Sequence, residues 1–498
     1  MISLTFTNII ERSRPVQIER RVLGNAASLG IGAIVGQIAN FGFVILVARG
    51  FGREVFAQYT LSMAVGGLAC LLVSFGSISL LTRSSAQDPT RGAEMLRSVL
   101  PVQIMIGIGL WITISGLALV YSHSTENLII FVCVVAHHII TRITGVLLTQ
   151  LHGRERLDIV ALVRVGRRIG TLAAGVALAL TTGSAIAGVS AMPIASFLFL
   201  IYSGFKVRSL AGPFAWKWDP RGAWKVAKQA LPFFLIVVVT AACDRLGPLM
   251  LSVIQDTDSL ATYASGERII TVAAIFYSML TAASMPATAR LALTDSEGHQ
   301  KLASRVARLV LLGVVPAAAL LFLFSTDIIV LLFGNEFATS APVLKVVSWV
   351  LVVRGLNSVQ AMVAVSCGRQ RDVLIGRCGG LIVLVVLGAP LIWVAGPIGL
   401  AYTVLGVEIG YAAVIHRLLA RAGRSILPIK SFWAIAATCA ITLVVGLIST
   451  NLDLVYRLAL SCGCIASGLW IFGAVRQHDI QYLCSILMTK RSDHSEGI

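Results

Sequence analysis

Two acid–base couples flank a short polar turn near the middle of the chain. Asp244-Arg245 precedes the turn at residues 255–259, and Glu267-Arg268 follows it. The flanking segments are apolar, and at a rise of 1.5 Å per residue each couple lies about 10–18 Å deep in a membrane. Ionisable groups at this depth usually face a bundle interior or a hydrated cavity and mark a pathway. A second interpretation is that the couples pair with each other and only hold two helices together.

Four more ionisable residues fall within or near apolar segments: Arg49, Arg142, Arg354 and Glu408. Glu408 lies in the middle of its segment with no adjacent base, and a charge there costs at least a few kcal/mol. We therefore expect Glu408 to pair with Arg354 across two helices. Arg49 and Arg142 are close enough to helix ends for their side chains to reach the headgroups instead. His138, four residues before Arg142, is interpreted as an interhelical histidine rather than a proton carrier.

These groups predict a cavity with a net positive charge. Such a cavity suits a phosphate or pyrophosphate head group, because arginine offers forked, permanently charged donors. The residues predicted to bind substrate are Arg245, Arg268, Arg354, Arg49 and Arg142. Those predicted to couple transport to a proton or Na⁺ gradient are Asp244, Glu267 and Glu408.

Enzymatic chemistry has no evident place in the sequence. No GxxxxGK[ST] phosphate loop, Ser/His/Asp constellation or cluster with metal-ligand spacing occurs. The nine cysteines are scattered, mostly within apolar segments, as packing residues would be. We therefore expect no enzyme activity, no bound cofactor and no resident metal, with an H⁺ or Na⁺ gradient as the possible energy source.

Composition places the chain in the membrane. Of its 498 residues 57% are hydrophobic and 13% are charged, and the mean hydropathy is +0.87. Soluble domains carry about a quarter charged residues. The apolar segments predict an all-α polytopic membrane protein with about 14 transmembrane helices. The predicted spans are 24–48, 55–81, 99–121, 127–149, 158–180, 185–205, 230–253, 260–283, 306–333, 340–366, 373–394, 398–418, 430–449 and 454–475.

The basic residues set the predicted orientation. They concentrate in every second loop, by roughly ten to one, and only Arg49, Arg53 and Arg457 fall on the other side. Both termini are therefore predicted to be cytoplasmic. The net charge of +17 is explained by anionic membrane lipids, so no nucleic-acid partner is expected. Residues 206–228 interleave Trp216, Trp218 and Trp224 with basic residues, which favours either a segment at headgroup level or a plain linker.

An internal repeat predicts two related halves. Residues 153–158 (GRERLD), with Arg164 following, match residues 368–372 (GRQRD), with Arg377 following. Six helices per half keep both halves in the same orientation, with a cavity between them. The predicted division is an N-terminal cytoplasmic or interfacial segment, two six-helix lobes, an appended helix pair and a cytoplasmic tail: 1–22, 23–212, 213–425, 426–475 and 476–498.

Several short motifs over residues 20–425 carry a family resemblance. They are GREVFAQY at 52–59, ALP at 230–232, YASGER at 263–268, LFGNEF at 332–337 and GPIGLA at 396–401. With these motifs the chain resembles the multidrug/oligosaccharidyl-lipid/polysaccharide exporter superfamily, and more specifically the bacterial polysaccharide (O-antigen/exopolysaccharide) flippases.

This resemblance implies a flippase in the cell inner membrane. It would move undecaprenyl-pyrophosphate-linked sugar repeat units to the periplasmic leaflet by alternating access of two lobes. The implied cationic cavity agrees with Arg245, Arg268 and Arg354. The implied partners are the lipid-linked oligosaccharide, membrane lipids and polysaccharide polymerase or export proteins.

Three alternatives remain open at this stage. A drug or cation antiporter of the same fold would favour an acidic cavity and twelve helices. A flippase for the peptidoglycan lipid precursor would also have about fourteen helices. A membrane-embedded glycan ligase or polymerase would need a large periplasmic loop with catalytic residues, whereas the outward loops here are short.

Overall fold

A computed structural model describes residues 2–121, 124–154, 156–211, 218–424, 429–449 and 453–471. The regular elements of these ranges are fifteen α-helices and one 3₁₀-helix. They are α1 (Ile2–Ser74), α2 (Ser77–Gln87), α3 (Pro89–Tyr121), α4 (Thr125–Gly153), α5 (Leu157–Thr182), α6 (Ala185–Ala211), α7 (Pro220–Ile254), α8 (Thr257–Ala273), α9 (Ile275–Thr294), α10 (Ser296–Leu323), α11 (Ser325–Phe333), the 3₁₀-helix Asn335–Ser340, α12 (Ala341–Ser366), α13 (Gln370–Arg421), α14 (Ile429–Ile448) and α15 (Leu454–Ile471). The predicted all-α class is confirmed.

The helices account for the predicted spans. Within the described ranges, nine stretches are long and apolar enough to cross a membrane. Two of them, α1 and α13, each hold two predicted spans, separated where Gly52 and Gly396 adopt non-helical backbone angles. The other predicted spans fall on α5, α14 and α15. The prediction of a polytopic membrane protein with about fourteen spans is confirmed.

The first of two compact units comprises Met1–Arg245. In it α4 packs against α6 and α1, and α5 packs against α1 and α6. Its core includes the fully buried side chains of Leu96, Val135 and Val146. We call it unit 1.

The second compact unit, unit 2, comprises Leu246–Ile498. Here α12 packs against α13 and α10, while α14 contacts both α15 and α10. Tyr263, Phe333 and Phe337 are among its largest buried side chains. The division falls inside α7, later than the predicted lobe boundary at 212/213, because residues 220–245 of α7 belong to unit 1. The predicted lobe boundaries stay predictions.

One contact between α7 and the rest of unit 1 lies at the break between α1 and α2. Phe75 has a φ of 42° and Gly76 a φ of 71°. The Phe75 ring stacks on the Phe234 ring of α7 at 4.0 Å. Gln103 Nε2 donates to Ser74 O at 3.1 Å and to Ser77 Oγ at 2.7 Å, so polar groups freed by the break are hydrogen-bonded.

Two predicted surface features are only partly described. Trp218 and Trp224 are 61% and 63% exposed, and Lys228 Nζ lies 5.8 Å from the centre of the Trp224 ring. Trp216 and the predicted tail 476–498 lie outside the described residues. Exposed tryptophans beside basic side chains are typical of segments at headgroup level.

Candidate functional site: an arginine-lined cavity in unit 1

Three arginines share one face of α5. Arg164, Arg167 and Arg168 have the spacing i, i+3, i+4, which brings side chains together on a helix. None of the residues predicted to bind substrate or couple ions lies on α5. The sequence analysis named Arg164 only as part of the internal repeat. The spacing of three arginines in an otherwise apolar helix is the sequence signal that could have identified them.

These arginines line a cavity of about 560 Å³. Its polar lining also includes His138, Thr141 and Arg142 on α4 and Cys70 on α1, and Gly32 and Gly36 form part of its wall. Among the described lining residues there are four arginines and no aspartate or glutamate. Arg142 was predicted to bind substrate, and the structure places it in this wall. A cavity lined by one sign of charge attracts ligands of the opposite sign.

The four arginines have few protein partners. Arg142 Nη2 donates to Cys70 Sγ at 3.5 Å, and Arg167 Nη1 lies 3.4 Å from His137 Nε2. Arg168 lies against α1 at Gly36. A Cβ added to Gly36 would lie 3.1 Å from Cδ of Arg168. Within the described ranges none of the four forms an ion pair with a carboxylate. Their charge is therefore available to a ligand.

Two uncharged polar atoms of the same lining are also unsatisfied. His138 Nε2 and Thr141 Oγ1 are buried without a hydrogen-bond partner among the described residues. Buried polar atoms of this kind are rare in native proteins and call for an explanation, such as a water or a ligand. The cavity thus offers charged donors together with neutral polar groups.

A pair of glycines on α1 allows two large polar side chains to approach this region. A Cβ on Gly66 would lie 2.8 Å from His138 Cδ2, and a Cβ on Gly67 would overlap the Arg245 guanidinium. Arg245 Nη1 donates to Met63 O at 2.6 Å. Arg245, predicted to bind substrate, therefore lies against α1 about one turn from Cys70.

Unit 2 holds its own cluster of charges, around Glu408. Arg354 Nε donates to Glu408 Oε1 at 3.0 Å, so the predicted pairing of these residues is confirmed. Arg377 Nη1 reaches the same oxygen at 3.4 Å, and Asn357 Nδ2 donates to Oε2 at 2.8 Å. The Arg377 guanidinium also lies 4.4 Å from the centre of the Tyr411 ring. Glu408 is only 3% exposed, so its charge is compensated inside the protein.

The remaining predicted site residues are distributed between the units. Arg49 is exposed near the end of the helical segment before Gly52, and Asp244 is exposed on α7. Both belong to unit 1, whereas Glu267 and Arg268 belong to unit 2. Arg268 Nε is buried without a hydrogen-bond partner among the described residues. The meeting of the two acid–base couples at one site stays a prediction.

The fold is that of polytopic membrane transporters with known structures. The lipid II flippase MurJ in an inward closed conformation is similar with a TM-score of 0.75 at 16% identity, over 91% of this chain and 99% of that chain. An inward-facing multidrug resistance MATE family transporter of the MOP superfamily is similar with a TM-score of 0.59 at 16% identity, over 76% of this chain and 92% of that chain. A MOP superfamily transporter from Pyrococcus furiosus is similar with a TM-score of 0.58 at 15% identity, over 79% of this chain and 93% of that chain. Its structure is described by the reverse polarity of its binding pocket.

The family follows from the sequence match. Residues 22–292, more than half of the chain, match the family described as "Polysaccharide biosynthesis protein". The chain belongs to this family, and the resemblance found in its motifs is confirmed. No curated protein matches the chain.

Substitution of Glu408 tests the unit 2 cluster. Glu408→Ala leaves Arg354 and Arg377 without their carboxylate, so we expect a loss of about 3–5 kcal/mol in stability. Thermal unfolding in detergent measures the change. Glu297→Ala is the control, because Glu297 forms an exposed i,i+4 ion pair with Lys301 and its loss should change little. Equal unfolding temperatures for the two variants would contradict the claim that Glu408 and its two arginines stabilise unit 2.

Proposed function

We propose that this protein is a flippase that moves undecaprenyl-pyrophosphate-linked oligosaccharide repeat units across the inner membrane for exopolysaccharide or O-antigen synthesis. The observation that carries the proposal is the unit 1 cavity, whose described lining contains four arginines and no carboxylate. Family membership and a transporter fold support it. The same lining argues against a cationic drug as substrate, because like charges repel it.

The chemistry of the cavity suits a pyrophosphate ester. Each guanidinium presents a planar fork of donors that matches two phosphate oxygens. A volume of about 560 Å³ lies in the range of small-molecule sites, so it suits a head group rather than a lipid tail. His138 and Thr141 add neutral polar atoms to the same lining. The lipid tail would remain in the membrane during transfer.

We infer that transport proceeds by alternating access of two lobes with both termini in the cytoplasm. Arg245, Arg268, Arg354 and Arg49 would contact the substrate at other stages of the cycle. A polymerase or export protein would take up the product. No bound cofactor is required in this scheme, since an ion gradient supplies the energy.

Glu408 is the acid with the clearest route to ion coupling. Its two oxygens accept from Arg354, Arg377 and Asn357, an arrangement that suits the ionised form. Uptake of a proton would weaken these contacts and release two guanidinium groups at once. Asp244 and Glu267 are the other candidates for this role.

A flippase for the peptidoglycan lipid precursor is the second candidate. The observation that favours it is the similarity to a lipid II flippase over 99% of that chain. Both candidates place a pyrophosphate in the cavity, so the sugar decides between them. Restored growth of a strain depleted of its lipid II flippase would favour the second candidate, and restored polysaccharide export alone the first.

Neutralising the cavity tests the proposed function. In the variant Arg164→Ala/Arg168→Ala we expect inorganic pyrophosphate to bind at least about tenfold more weakly, because hydrogen bonds between charged groups are lost. Export of polysaccharide should fall in parallel. Titration calorimetry of the purified protein measures the affinity. Arg156→Ala is the matched control, since Arg156 precedes α5 and pairs with Asp158 outside the cavity. Undiminished binding in the double variant would refute the site.

Replacing the buried acid tests ion coupling. Glu408→Gln keeps the size of the side chain but cannot exchange a proton, so the dependence of transport on an imposed H⁺ or Na⁺ gradient should weaken. Transport into everted vesicles, with and without the gradient, provides the measurement. Glu297→Gln, on the exposed start of α10, should leave the dependence intact. If the Glu408→Gln variant responds to the gradient as fully as the natural protein, Glu408 has no part in coupling.

A further inference from the structure

A buried chain of hydrogen bonds lies behind the arginine cavity and joins three helices. Ser196 Oγ of α6 is 2.7 Å from His137 Nδ1 of α4, and Met192 O is 3.2 Å from the same nitrogen. On the other side of the ring, His137 Nε2 is 3.4 Å from Arg167 Nη1 of α5. Ser196 is fully buried and His137 is 7% exposed. Of these residues only Arg167 lines the cavity.

The chemistry of the partners fixes the state of the histidine. Arginine has donors only, so His137 Nε2 must accept. The ring is then neutral, with its single proton on Nδ1, where Met192 O and Ser196 Oγ can accept it. This tautomer follows from the network of partners around the ring. A neutral imidazole with a fixed proton holds the guanidinium in one direction.

Arg167 differs in this respect from the other arginines of the cavity. Arg142 donates only to a thiol, and Arg164 and Arg168 have no hydrogen-bond acceptor among the described residues. One Nη1 hydrogen of Arg167 is used by His137, which leaves the edge formed by Nε and Nη2 for two oxygens of a phosphate. A donor fixed before binding loses less conformational entropy when the ligand arrives.

We propose that His137 is a positioning residue that, through Arg167, sets the affinity of the unit 1 cavity for a pyrophosphate ester. This inference rests on the proposed function and adds to it the residue that orients one of the four arginines. Ser196 and Met192 contact His137 rather than Arg167. They hold the imidazole in the tautomer in which Nε2 accepts a hydrogen bond. The ligand class is defined by its phosphate oxygens, and inorganic pyrophosphate is the probe that presents them without lipid or sugar.

Two substitutions at His137 separate positioning from simple packing. His137→Gln can place an acceptor near the position of Nε2, whereas His137→Asn reaches only the position of Nδ1. We expect the Asn variant to bind inorganic pyrophosphate about tenfold more weakly than the natural protein. The Gln variant should recover most of that loss. Titration calorimetry on the full purified chain in detergent gives both affinities, and thermal unfolding reports the stability of each variant.

A double-mutant cycle with Arg167→Ala is the second measurement. If His137 acts through Arg167, His137→Asn should have no further effect on affinity once Arg167 is alanine. If His137 only supports the packing of α4 against α6, the Asn substitution should weaken binding equally in both backgrounds, and the proposal is overturned. Should the Asn variant fail to fold, Ser196→Ala takes its place in the same cycle, with a smaller expected loss and the same test of coupling.

The outcomes also distinguish this inference from the proposed function. Unchanged affinity after Arg167→Ala would remove Arg167 from the site and overturn the positioning proposal. The proposed function itself fails only if the variant with both Arg164 and Arg168 replaced also binds normally. A loss of affinity on Arg167→Ala, together with equal affinities of the His137→Gln and His137→Asn variants, would overturn the positioning role alone.

Discussion

Four guanidinium groups share one cavity in unit 1, and the part of its lining that the structure describes holds no carboxylate. This unbalanced charge is the constraint on which the rest of the structure depends. Holding like charges close together is costly, because each raises the energy of the others where water is scarce. Contacts within unit 1 offset part of that cost, because Arg168 packs against Gly36 of α1 and Arg167 contacts the His137 ring of α4. Under the proposed function, a bound anion would relieve the remainder, so the unbalanced charge would itself supply affinity for a pyrophosphate.

In unit 2, two half-buried arginines both contact a carboxylate. Arg354 and Arg377 share the carboxylate of Glu408, and Asn357 satisfies the second oxygen. The predicted repeat would relate the segment that contains Arg164 to the one that contains Arg377. Among the described residues Arg377 shares a carboxylate, whereas Arg164 forms no ion pair. Under the proposed function, this difference would favour anion binding in unit 1 and ion coupling in unit 2.

Much of this arrangement could be predicted from the sequence. The length of the apolar segments predicted the helical class and the spans, and the isolated position of Glu408 in an apolar segment predicted its pairing with Arg354. Arg142 was predicted to bind substrate and lies in the wall of the arginine cavity, and its role stays a prediction. Arg167 and Arg168 were not predicted, because the direction in which α5 faces depends on how it packs against α1. The chain through His137 joins residues 59 apart in sequence, and no local pattern encodes that contact.

The charge of the cavity can be measured directly at Cys70, which lies in its wall beside Arg142. A variant would keep Cys70 and carry serine at the other cysteines, and it would be treated with anionic and cationic methanethiosulfonate reagents of similar size. The account predicts that the anionic reagent reacts with Cys70 about tenfold faster, and that Arg164→Ala/Arg168→Ala reduces the difference. Equal rates for both reagents, or a faster reaction with the cationic one, would contradict it.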